Sequence, residues 1–97
     1  MTKFMIRVEL HEADSEDYDV LHEAMSDEGF LKEIQDDDTK IWYELPPAQY
    51  HFKSDSDLDR NTVLNKSKRA AKKTMKKYGI TVTTSNGSVW TGLDEVD

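Results

Sequence analysis

A cleanly alternating segment near the N-terminus, two amphipathic stretches that each run to a glycine, and short β-branched or aromatic runs predict an α+β domain. At 97 residues the chain has material for one modest core, so residues 1–97 are expected to form a single domain. Lys3 to His11 places Phe4, Ile6, Val8 and Leu10 on one side and Met5, Arg7, Glu9 and His11 on the other, the period of a half-buried strand. Asp14 and Ser15 cap a helix with Glu16 and Asp17 in its first turn, where negative charge suits the dipole. Tyr18, Leu21, Ala24 and Met25 give that helix an apolar stripe, and Gly29 ends it.

Phe30 to Gln35 reads as a second strand and Lys40 to Leu45 as a third, joined through the polar turn Asp36 to Thr39 as an antiparallel hairpin. Pro46 and Pro47 end it, because neither donates to a ladder. Ala48 to Lys53 reads as a short edge strand or an ordered loop, and Ser54 to Asp59 as an acidic loop. Asp59 or Asn61 caps the longest helix, Thr62 to Tyr78, with Leu64, Ala71, Met75 and Tyr78 as its stripe and Val63, Ala70 and Thr74 in support. Ile80 to Thr84 is β-branched throughout, and Ser85-Asn86-Gly87 signals a turn into a return strand, Ser88 to Leu93. The acidic tail, residues 94–97, is expected to be disordered. The element order β-α-β-β-α-β matches the ferredoxin-like sandwich: an antiparallel sheet with two helices on one face, here with an extra C-terminal strand.

Thirteen basic and twenty acidic residues give a formal charge of −7. Without cysteine there is neither a disulfide framework nor a cysteine-based zinc site, which fits a reducing compartment. No apolar run is long enough to span a membrane, the N-terminus lacks a signal-peptide core, and a cytoplasmic location is expected. The charge is segregated. Glu9 to Asp38 holds thirteen acidic residues and one basic, Lys32, whereas Lys66, Lys68, Arg69, Lys72, Lys73, Lys76 and Lys77 crowd into twelve positions without an acid. Two readings stand: a solvated face balancing the acidic helix, or a surface for the phosphates of single-stranded RNA. Strong nonspecific binding to DNA is at odds with the acidic remainder and a pI near 4.9.

Trp42 lies among polar neighbours on the side of its strand expected to face away from the helices, where it could stack a base. The same sheet face, or the terminal strand, is a candidate homodimer surface. His11, His22 and His51 show no metal-ligand spacing. An imidazole titrates near neutrality and can move the proton of an RNA 2′-hydroxyl, so His11 and His22 are the candidate proton shuttles, with Arg7 to stabilise phosphorane charge. Asp36 to Asp38 reads as a solvated turn, and no metal is expected. No phosphate-cradling glycine loop, nucleophile elbow or cysteine nucleophile is present, and no cofactor is expected.

Three stretches, FMIRVELHEADSEDYDVLHEAMSDEGF, KIWYELPPAQY and VLNKSKRAAKKTMKKYGITVTTSNGSVW, resemble the GhoS family, the small antitoxins of type V toxin–antitoxin systems. The resemblance covers Phe4 to Leu93 and lies in layout and a few recurring phrases. It implies a ferredoxin-like fold akin to the small CRISPR-associated nucleases. It also implies an endoribonuclease, independent of metal or weakly dependent on it, that cuts the transcript of a membrane toxin. Those nucleases place an aspartate at the end of the first strand, where this sequence has Leu10 and His11. The other reading is a non-enzymatic dimeric interaction or RNA-binding protein of the same fold.

Overall fold

The computed structural model describes residues 2–56 and 58–96; Asp57 of the acidic loop and Asp97 of the tail lie outside them. Strand β1 (Thr2–Leu10) is followed by α1 (Ser15–Asp27), β2 (Glu33–Gln35), β3 (Trp42–Glu44), β4 (Gln49–Ser54), α2 (Arg60–Lys72) and β5 (Tyr78–Ser85). The result is an α+β architecture of two helices with a three-stranded antiparallel sheet, ordered β4-β1-β5, and a separate two-stranded sheet of β2 and β3.

The alternation of β1 carries the core. Phe4, Ile6, Val8 and Leu10 are buried against Leu21, Ala24 and Met25 of α1 and Val63, Ala70 and Ala71 of α2, while Arg7 and Glu9 face solvent. Asp14 caps α1 through a reciprocal box with Asp17, each side chain accepting the other's backbone N–H at 3.0 and 3.1 Å. Past the end of α1, Gly29 sits at φ 94°, a left-handed conformation that favours glycine.

Several elements differ from expectation. The hairpin strands are shorter, three residues each: Leu31 pairs with His51 instead, and Lys40 stands at φ 64° at the end of the turn, where the Asp36 Oδ1 accepts the N–H of Asp38 at 2.8 Å and of Thr39 at 3.0 Å. The segment expected at Ala48 to Lys53 as a strand or loop is a strand, Gln49–Ser54, paired with β1 from Thr2↔Ser54 to Arg7↔Gln49. Beyond β4 a single bridge, Leu31↔His51, lays the chain after α1 along the sheet.

The second helix ends at Lys72, six residues short of the expected Tyr78. The hydroxyl of Thr74 donates to the Ala71 carbonyl at 2.7 Å and accepts the Lys76 N–H at 3.2 Å, and Met75 turns to φ 59°. A threonine that bonds the local backbone in this way competes with helical continuation. Met75, expected in the apolar stripe, is 91% exposed, and Ser67 takes a buried place instead, its hydroxyl donating to the Val63 carbonyl at 2.9 Å.

The turn after β5 has no return strand: residues 86–93 are irregular. The tail, expected to be disordered, places 94–96 against β3: the Glu44 N–H donates to the Asp94 carbonyl at 2.9 Å and the Val96 N–H to the Trp42 carbonyl at 2.8 Å. Among the described residues the outer edge of β5 therefore has no partner strand. His11 and Val8 donate in opposite directions, to Lys77 and to Ala48, which fixes the alternation of β1. Through the register, Ile80 and Val82 then turn their backbone groups away from β1. From Tyr78 to Leu93 no side chain is charged.

Candidate nucleic-acid interface

The cationic segment divides into two groups. Arg69 grips Glu28 at the end of α1 through two hydrogen bonds of 2.8 and 3.2 Å, and this contact holds the Glu28 carboxyl below its ordinary value. Lys76 lies 3.7 Å from Asp17, and the Lys66 ammonium stands 4.8 Å from the centre of the Phe52 ring. These three hold α2 and the following turn to α1 and the sheet. Lys68, Lys72, Lys73 and Lys77 are exposed, and none has a carboxylate within 4 Å among the described residues. Lys68 and Lys72 share one face of α2, Lys73 caps it, and Lys76 and Lys77 belong to the turn before β5 and not to a helix.

The three candidate catalytic residues do not converge. His11 follows β1, and its backbone N–H donates to the Lys77 carbonyl at 2.8 Å. The residue lines an open concavity of about 780 Å³ with Glu12, Met75, Lys76, Lys77 and Tyr78. His22 lies on α1, where its Nδ1 shares a 2.5 Å hydrogen bond with the hydroxyl of the buried Tyr50. Burial lowers the pKa of His22, with help from Lys32, and burial raises that of Tyr50. Arg7 sits on the sheet face opposite the helices, with Gln49 and Thr81 beside it. Of the three, His11 alone stands beside the basic turn.

Trp42 is not on the main sheet face. It belongs to the β2–β3 hairpin, which folds over one end of that face, and it lines a cleft of about 330 Å³ together with Trp90, Lys3, Lys53 and His51. Trp90 was hidden in the sequence by its place in an apparent return strand, and nothing local marks its proximity to Trp42. Lys3 and Lys53 had a faint signal, since each lies near the end of a strand, but their pairing depends on register.

Comparison with protein families, characterised proteins and solved structures gives no match to this chain. Among the described residues no group of carboxylates and imidazoles is arranged to hold a metal, and no helix is long and apolar enough to cross a membrane.

Proposed function

We propose that this is an antitoxin-like protein that binds and cleaves single-stranded RNA, as the resemblance to the GhoS family implies. The observation that carries this reading is the meeting of His11 with the basic turn: His11, Lys76 and Lys77 line one concavity. Lys68, Lys72, Lys73 and Lys77 supply unneutralised ammonium groups for successive phosphates, and Lys66, Arg69 and Lys76 serve the fold.

Cleavage needs no metal in this scheme. His11 takes the proton of a ribose 2′-hydroxyl, and the 2′-oxygen attacks the adjacent phosphorus. The 5′-oxygen of the next nucleotide leaves with a proton from water, producing a 2′,3′-cyclic phosphate. The Lys77 ammonium stabilises the charge that develops on the phosphoryl oxygens. His22 and Arg7 take no part, one engaged with Tyr50 and the other on the far face of the sheet.

The ferredoxin-like reading of the fold belongs to the same proposal. It is supported by the order β4-β1-β5 with both helices on one face, and by the Leu31↔His51 bridge on the outer side of β4.

The test is an NMR titration with short single-stranded RNA, coupled to a cleavage assay. The amides of Lys68, Lys72, Lys73 and Lys77 shift first, and His11→Ala abolishes cleavage while leaving those shifts in place. Shifts without cleavage by the wild type would leave the non-enzymatic RNA-binding reading. No shift at low salt would remove RNA altogether.

A further inference from the structure

A cleft lies between the β2–β3 hairpin, the end of the main sheet and residues 85–90, apart from the cationic turn. Its walls include both of the chain's tryptophans, Trp42 and Trp90. The Trp90 indole is braced by the Tyr43 ring, edge-on with centroids 5.4 Å apart.

The floor is unusual electrostatically. Lys3 of β1 and Lys53 of β4 are direct cross-strand partners on one face, a placement of like charges that is unfavourable in an empty sheet. One carboxylate, Asp37, approaches Lys3 at 3.5 Å, and none lies within 4 Å of Lys53 among the described residues. Asp37, which lines the cleft with Asp36 and Asp38, already offsets Lys3, so the Lys53 ammonium is the charge left for an anion.

At the rim, Asp36 is occupied with the turn backbone, whereas the Asp38 carboxylate makes no hydrogen bond among the described residues. The volume, about 330 Å³, is at the small end of the range for ligand sites, roughly 300–1,000 Å³. Aromatic walls, a cationic floor and a carboxylate acceptor at the rim match a planar base that carries a phosphate and offers hydrogen-bond donors on one edge. Guanine fits best, because its N1–H and 2-amino group lie side by side and suit a single two-oxygen acceptor.

We propose that this cleft binds a guanine nucleotide, the base against Trp42 and Trp90, its donor edge on Asp38 and its phosphate over Lys53. The choice of a nucleotide rests on the RNA reading above; the geometry of the cleft does not.

The chain carries its own reporter. Both tryptophans are lining residues of the cleft, so intrinsic tryptophan fluorescence of the full chain reports on its occupancy. Titration with guanosine 5′-monophosphate gives saturable quenching, and uridine 5′-monophosphate binds at least about fivefold more weakly. Lys53→Gln and Asp38→Asn, both at exposed positions, each weaken the guanosine titration by a similar factor. Absence of saturable quenching at millimolar nucleotide overturns the proposal, as does equal binding of the two nucleotides or an unchanged titration in Lys53→Gln. A Lys72→Ala/Lys73→Ala variant separates the two sites. Loss of RNA binding there with quenching intact supports both assignments. RNA binding by the wild type without quenching by the mononucleotide overturns the cleft alone, and quenching without RNA binding overturns the cationic site alone.

Discussion

Tyr50 stands in the core with its ring buried and its hydroxyl on the imidazole of His22, so a strand and a helix meet through one polar contact inside an apolar layer. Replacing it with phenylalanine removes that contact at little change in volume, and should lower the unfolding free energy by about 1 kcal/mol in denaturant melts. The two perturbed imidazoles also set a pH dependence. Burial lowers the pKa of both His22 and His51 below the ordinary 6.5, with Lys32 adding to the first and Lys3 and Lys53 to the second. The unfolded chain therefore takes up protons before the native one does. Their contribution to stability is complete above about pH 6.5 and drains as the pH falls through the lowered native values. The capping carboxylates Asp14, Asp36 and Asp59 are lowered by backbone N–H donors from 3.8, so their contribution is lost only in more acid solution. A urea midpoint that declines between pH 7.5 and 5 is the expected result; a flat midpoint over that interval would contradict it.

Helix α2 lies close to the sheet because its inner face is made of small residues, with Ser67, Ala70 and Ala71 all fully buried. Ala70→Leu should cost about 1–3 kcal/mol by thermal or chemical melting, since the added side chain has nowhere to go. What was legible at this scale was whatever is encoded locally. The alternation of β1 and the Asp14 cap of α1 each lie within a few residues, and both appear in the fold where the pattern puts them. The end of α2 was not legible, because a helical stripe continues through Met75 in the sequence while the Thr74 hydroxyl diverts the backbone. The return strand failed for a different reason. The asparagine–glycine pair does mark a turn, but the chain beyond it finds its partner in β3, about fifty residues back, and no local pattern reports such a pairing. The candidate site shows the same division: the crowding of cations was visible in the sequence, but which were already spent on Glu28, Asp17 and Phe52 was not.

Across the whole molecule, a net charge of −7 coexists with a cationic end, so RNA should bind in one orientation and with limited electrostatic gain. Four phosphate contacts predict a slope of about −3 for log K against log salt, with single strands contributing about −0.7 per contact. Filter binding from 50 to 300 mM salt measures it, and a slope near zero would show that these lysines do not meet phosphate. The bare outer side of β5 has a consequence of another kind. Proteins usually guard such a margin with lysine, proline or a bulge, and none stands between Tyr78 and Ser85. Partial loosening at elevated temperature would therefore expose a ready template on which further chains could stack into cross-β fibres. Thr83→Lys, on the solvent side of that strand, should slow thioflavin-positive growth on prolonged heating without lowering the melting temperature appreciably. Where selection has left so sociable a border unguarded, slow self-assembly is the hazard the molecule carries.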